Sequence, residues 1–348
     1  MAKLVATMAV AAVVLVIMLP LTPSEAQSDG TRRVLDVFEI GNVPTTYLQV
    51  NESATPFNKS VLIYKPTLPC LYPVIMLLHG TCLINSFYTD LFQHIASHGY
   101  IVVAPQIYYC FEGLFEMMPI SEPEELEYAA EVANWLPSGL QSLLPENIKP
   151  DLHKLSVGGH SRGGKTAVAL ALGYAKTPLQ VQISGLVLID PVAGASKNNP
   201  TLPKVLTYIP HSFNLSIPVA VIGTGLGSQP VCWLVCPACA PNGVNHVEFF
   251  NECKAPAGHF VATDYGHMDM LNDNITGIDW IITSHMCKSS PDPKKPMRQT
   301  VGGIIVAFFK AYFEGESDDY MTIVQQPSVA PAKLDPVQFN NIINIGTF

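Results

Sequence analysis

Short apolar runs recur along the chain between residues 73 and 262, separated by polar or mixed segments. The run 73–78 ends in His79-Gly80, 100–104 ends at Pro105, 185–189 ends at Asp190-Pro191, and 219–222 ends at Gly223. None alternates with polar residues, which is the pattern of strands buried on both faces of a parallel sheet. Between them, 87–98 carries Leu91, Phe92 and Ile95 at helical spacing and stops at Gly99, and 122–136 opens on acidic residues that suit a helix N-terminus. A strand followed by a helix is expected over 155–173, a short last strand over 260–262, and an apolar covering helix over 301–313. One or two strands with turns are expected over 31–65, around Val34, Val37 and Ile40 and then Val61-Leu62-Ile63-Tyr64. From about 316 no periodicity emerges, so 27–315 reads as the domain and 316–348 as a C-terminal tail. Strands alternating with helices imply an α/β fold: a mostly parallel, doubly wound sheet with helices on both faces.

The segment 154–173 sharpens this picture. Leu155 and Val157 lead into Gly159-His160-Ser161-Arg162-Gly163, and an Ala/Leu-rich stretch follows. That is the strand–turn–helix setting of a G-x-S-x-G nucleophile elbow, and it makes the fold an α/β-hydrolase. The pattern alone arises by chance about 0.1 times in a chain of this length, so the flanking elements carry the weight. Ser161 is the candidate nucleophile; the bland alternative is a helix-capping serine in a glycine-rich turn.

In this fold the acid and then the histidine follow the serine in the chain. Asp190 stands at a strand end, whereas the loop after 219–222 has no acidic residue before Glu248, so Asp190 is the candidate acid and Asp264 the fallback. Of His211, His246, His259, His267 and His285, His267 is the candidate base. It lies on the loop after the last expected strand, beside Gly266 and Asp269. The backbone N–H groups of Thr81, after the first buried strand, and of Arg162 are the expected oxyanion donors. His79 reads as a residue that orients its loop. Phe87, Phe111, Phe115, Met117 and Met118 are placed to line an apolar groove or simply to pack. The loops 105–121 and 225–258 are placed to form a cap or rim.

Composition narrows the class. The chain has 348 residues, 48% hydrophobic and 14% charged, and its formal net charge of −9 argues against a nucleic-acid partner. Residues 1–26 read as a signal peptide: Lys3, an apolar stretch over 5–19, and Ser24-Glu25-Ala26 at the cleavage position. Secretion is the expected destination and the chloroplast the alternative. Four N-x-S/T sequons, at Asn51, Asn58, Asn214 and Asn274, agree with export. All eight cysteines lie beyond the signal, where an even count reads as disulfides; the Cys232, Cys236 and Cys239 cluster is read as disulfide rather than zinc. No metal or organic cofactor is expected. The low charge also suits contact with a membrane surface or lipid.

Several longer runs are more specific than the elbow pattern: 159–167 (GHSRGGKTA), Leu188-Ile189-Asp190-Pro191-Val192, 239–246 (CAPNGVNH) with Glu248-Phe249-Phe250, 264–271 (DYGHMDML), and Pro296-Met297-Arg298 with Gly302-Gly303. Together they resemble the chlorophyllases, plant and algal α/β-hydrolases, over about 60–315. The resemblance implies a serine esterase that cleaves the phytyl ester of chlorophyll to chlorophyllide and phytol. It also implies the triad Ser161, Asp190 and His267, which agrees with the assignment by position. A broad exported carboxylesterase or lipase acting on lipophilic esters is the alternative function.

Overall fold

A computed structural model describes residues 35–110, 119–232, 236–254 and 256–340. The strands are β1 (Thr45–Val50), β2 (Val61–Pro66), β3 (Cys70–Leu78), β4 (Ile101–Pro105), β5 (Ile148–His160), β6 (Gly185–Ile189), the small ribbon β7 (Gly194–Ser196) and β8 (Asn199–Pro200), β9 (Val219–Thr224), β10 (Ala257–Ala262) and β11 (Leu334–Asn340). Apart from the ribbon they form one sheet in the order β1-β2-β4-β3-β5-β6-β9-β10-β11. The stretch from β4 to β10 is parallel throughout. The pairings β1–β2, β2–β4 and β10–β11 are antiparallel. The helices are α1 (Thr89–Ser97), α2 (Glu122–Trp135), α3 (Gln141–Leu143), α4 (Arg162–Ala171), α5 (His246–Glu252), α6 (Gly277–His285), α7 (Lys295–Phe309) and α8 (Asp318–Gln325).

Alternate strand residues feed two separate cores. Ile75 and Leu77, Val102 and Ala104, and Val187 and Ile189 face α1, α7 and α8 through Phe92, Ile304, Phe308 and Tyr320. Val74 and Met76, Ile101 and Val103, and Leu186 and Leu188 face α2, α4 and α5 through Leu126, Val168 and Phe249. Both faces of the central strands are dry, which is why these strands read as unbroken apolar runs.

The two ends of the domain differ from the sequence expectation. Val37 belongs to a short 3₁₀ turn, Asp36–Phe38, and Ile40 is exposed, so the N-terminal strand is instead β1. The stretch from 316, read as a tail, contributes α8, which buries Tyr320 and Ile323, and β11, which pairs with β10 along the sheet edge. Of the eight cysteines, six pair: Cys82–Cys110, Cys232–Cys236 and Cys239–Cys287. Cys70 is exposed and unpaired, and Cys253 is buried and unpaired, so the even count does not translate into full pairing.

Candidate active site

The register lines up the carboxyl ends of the central strands. Gly159 is opposite Leu78, His160 opposite Ile189, and Ile189 opposite Ile222. In such sheets the crevice outside these ends is where ligands bind. Ser161 follows β5 directly and begins α4, with φ 57° and ψ −123°. That left-handed backbone in a non-glycine residue is strained, and it turns the side chain out of the bend. The turn is possible because strand and helix nearly touch. A Cβ on Gly159 would stand 2.4 Å from the Gly163 carbonyl carbon, and one on Gly163 would stand 2.5 Å from the carbonyl oxygens of both Leu78 and His79.

Ser161 is pinned to the end of β6. Its N–H donates to the Ile189 carbonyl at 2.9 Å, and its carbonyl accepts from Val192 N–H at 3.1 Å. The next residue after Ile189 is Asp190, fully buried and also at positive φ. Its Oδ2 accepts from His267 Nδ1 at 2.6 Å and from Thr224 Oγ1 at 2.6 Å, and its Oδ1 accepts from Thr224 N–H at 3.2 Å. Burial pushes this carboxyl up, but the hydrogen bond and charge of His267, with the Thr224 hydroxyl, bring it below the usual carboxylate value. Asp264, the fallback acid, is exposed on a turn.

His267 lies on the loop after β10. Gly266 N–H and Ser290 N–H both donate to Asp269 Oδ2, and Asn272 ties the loop to the turn before α1 through the Ser86 carbonyl and to α1 itself through Thr89 Oγ1 and Asp90 N–H. The structure therefore brings Ser161, Asp190 and His267 to one edge of the sheet from three strand ends, and joins the last two directly.

Thr81, itself exposed, follows buried Gly80 on the loop after β3. The Gly80 N–H donates to Tyr88 Oη, so the Thr81 N–H is the next donor along that loop. The disulfide Cys82–Cys110 ties the loop to the segment after β4. Arg162 offers its backbone N–H at the start of α4, where a helix has no internal partner for it. Its side chain points elsewhere, pairing with Glu125, donating to the Ile120 carbonyl and stacking over Tyr108. His79 accepts from Ile107 N–H on Nε2 and donates from Nδ1 to the Gly80 carbonyl; burial pushes its imidazole down to about 4, so it is a neutral brace for the loop. Phe87 is buried in the core, and Phe111, Phe115, Met117 and Met118 lie outside the described residues.

Behind the acid sits a cluster that sequence reasoning passed over. His246 Nε2 stands 4.0 Å from Asp190 Oδ1, its Nδ1 meets His259 Nε2 at 2.8 Å, and His259 Nδ1 meets the Gln338 side chain at 2.9 Å. His246 starts α5 and His259 lies within β10, and nothing in their spacing along the chain shows that the fold stacks them behind Asp190. The Cys232, Cys236 and Cys239 cluster is bonded, as Cys232–Cys236 and Cys239–Cys287.

Comparison with known proteins decides the lineage. The Chlorophyllase family model matches residues 33–341. The chain belongs to the chlorophyllase family. It is 48% identical over 305 residues to Chlorophyllase-1 of Arabidopsis thaliana, covering 86% of this chain and 91% of that protein. It is 44% identical over 317 residues to Chlorophyllase type 0 of Chenopodium album, covering 90% and 88%. It is 47% identical over 289 residues to "Chlorophyllase-1, chloroplastic" of Citrus unshiu, covering 82% of each. Family membership makes the chain a carboxylic ester hydrolase with the α/β-hydrolase fold.

Proposed function

We propose that this chlorophyllase-family chain is a serine esterase that hydrolyses the phytyl ester of chlorophyll, with Ser161, Asp190 and His267 as its catalytic triad. The carrying observation is the 2.6 Å hydrogen bond from His267 Nδ1 to buried Asp190, beside the strained elbow at Ser161. That bond fixes the imidazole tautomer with Nε2 bare, ready to take a proton. Ser161 Oγ attacks the ester carbonyl as His267 Nε2 accepts its proton. The tetrahedral oxyanion lies against the N–H groups of Thr81 and Arg162; one such donor contributes about 2.7–4 kcal/mol to the transition state. The imidazolium, paired with Asp190, gives its proton to the departing alkoxide oxygen, and phytol leaves. Water then attacks the acyl-enzyme, with His267 again taking and returning the proton, and the carboxylic acid chlorophyllide is released with Ser161 restored.

The test is conversion of chlorophyll a to chlorophyllide by the purified mature chain beside Ser161→Ala. Conversion by the wild type alone supports the whole reading. Hydrolysis of short nitrophenyl esters without conversion of chlorophyll keeps the triad and replaces the substrate with a broader set of lipophilic esters. Because phytol is a long hydrocarbon, contact with a lipid surface belongs to the same proposal, and co-sedimentation with galactolipid vesicles tests it.

Location is read from this chain's own residues as the secretory route. The apolar segment 5–19 precedes Ser24-Glu25-Ala26, all four sequon asparagines are exposed where described, and three disulfides are formed. The Citrus relatives are named chloroplastic. A mature N-terminus near Gln27 on a chain sensitive to an N-glycosidase supports export. An unglycosylated chain recovered from plastids replaces it with the chloroplast.

A further inference from the structure

His160 occupies the variable position between Gly159 and Ser161 in the elbow pattern, and the triad chemistry gives it no task. It is buried, and its ring lies 4.5 Å from that of His267, centroid to centroid. Its Nε2 is 2.9 Å from the His267 carbonyl oxygen. A carbonyl only accepts, so Nε2 carries a proton. Burial holds the imidazole well below its usual value, and the neighbouring His267 adds to this, so the ring is neutral and Nδ1 is bare. Tyr88 Oη lies 2.8 Å from that bare nitrogen and must donate to it. Burial also raises the Tyr88 phenol, which therefore keeps its proton. The same phenol oxygen accepts from Gly80 N–H at 3.1 Å.

The chain of hydrogen bonds thus has one polarity. It runs from Gly80 N–H through Tyr88 O–H and His160 Nε2–H to the His267 carbonyl. One end is the loop that carries Thr81, and the other is the main chain of the base. The packing leaves little slack: a Cβ on Gly80 would stand 2.9 Å from His160 Nδ1 and 3.3 Å from Ser161 Cβ. Tyr88 is held in turn by stacking on Phe92, with ring centroids 6.0 Å apart.

We propose that His160 and Tyr88 are positioning residues for ester hydrolysis, a two-residue strap that fixes the main chain of His267 against the oxyanion loop. The proposal rests on the esterase reading above. During turnover the His267 imidazole must serve first the Ser161 hydroxyl and then the leaving oxygen, while the oxyanion stays against the Thr81 N–H. Both demands are met only if base and oxyanion loop keep one separation, and a misplacement of about 1 Å costs about a hundredfold in rate. A merely space-filling aromatic at 160 would pack as well and hold nothing.

The test uses the full mature chain, a short nitrophenyl ester, and active sites counted by end-point titration with a fluorophosphonate, so that kcat refers to folded, reactive Ser161. His160→Phe keeps the ring and removes both hydrogen bonds. Tyr88→Phe removes only the link to Gly80 and His160. His160→Gln restores a donor at the position of Nε2. Expected are losses in kcat of about a hundredfold for His160→Phe and about tenfold for Tyr88→Phe, with KM little changed and most of the rate recovered in His160→Gln. A purely structural role lowers the melting temperature and the titratable fraction but leaves kcat per titrated site alone. Values of kcat per site within about threefold of wild type in both phenylalanine variants overturn the proposal, as does a loss confined to KM. Where His160→Phe does not fold, Tyr88→Phe, which deletes a single oxygen, carries the decision. Wild type labelled at Ser161 with unaffected variants sinks only the strap, whereas wild type that is not labelled at Ser161 sinks the esterase reading and the strap with it.

Discussion

Replacing Asp190 with asparagine puts the catalytic reading at most risk. The carboxylate accepts from His267 Nδ1, Thr224 Oγ1 and Thr224 N–H, and it is fully buried. An amide has one acceptor oxygen for those two clusters of donors. With its oxygen kept toward His267, its NH2 faces the Thr224 N–H, and an orphaned buried donor costs about 1–3 kcal/mol of stability. With the amide turned over, its NH2 faces His267 Nδ1. That nitrogen must then accept, the ring proton moves to Nε2, and His267 no longer takes the proton of Ser161. In either pose the imidazolium loses its counter-charge. The His267 nitrogen is 2.6 Å from the carboxylate oxygen, with its charge spread over the ring; unit charges 2.6–4 Å apart at an effective dielectric of about 20 attract by about 4–6 kcal/mol. At 1.36 kcal/mol per decade that is a fall in kcat/KM of about 10³–10⁴-fold, the size found where a triad histidine is held in the wrong tautomer. The assay is the initial rate on a short nitrophenyl ester at neutral pH, with a thermal melt to show that Asp190→Asn is folded. A folded variant within about tenfold of wild type refutes Asp190 as the orienting acid.

Gly163→Ala places a Cβ 2.5 Å from two carbonyl oxygens of β3 and its following loop, so strand and helix must part; a loss of more than about 4 kcal/mol is expected by urea unfolding, and a melt like wild type refutes the close approach. Truncation after Gly315 removes α8 and β11, uncovers the edge of β10 and leaves the sites of Tyr320 and Ile323 empty; an insoluble or unfolded product is expected by circular dichroism, and a folded, active chain refutes the structural role of that segment. Burial pushes His79, His94 and His259 each down to about 4 from 6.5. The unfolded chain therefore binds more protons between those values, and stability falls on acidification across that window by up to about 1.4 kcal/mol per pH unit for each. Asp190, held below its usual value, adds stability that is present above the ordinary carboxylate range and is lost only as pH drops through its depressed value. Urea unfolding between pH 7.5 and 4.5 lies above the range in which Asp190 titrates and so measures the histidines, and a flat profile there refutes their neutral burial.

Local chemistry made the middle of the chain readable. Within β3, β4, β6 and β9 the buried stretches are dry on both faces and so read as unbroken apolar runs, and 73–78, 100–104, 185–189 and 219–222 show it directly. The elbow was legible because strand and helix pass too close for a side chain at 159 and 163. The order serine, acid, histidine then narrowed the partners, and the lack of an acid after 219–222 singled out Asp190.

The edges were not readable, for a related reason. β1 and β11 each have one neighbour and one wet side, so TTYLQV and LDPVQFN carry polar residues and a proline and resemble loops. Their place comes from hydrogen bonds to β2 and β10 that no local pattern announces. The same holds for which six of the eight cysteines pair, for the His246–His259–Gln338 cluster behind Asp190, and for the strap from Gly80 to His267. Period and composition report what a residue needs from its immediate surroundings, whether dryness, a tight bend or a cap. Which distant residue meets that need is decided only when the strands take their order and the loops between them come to lie side by side.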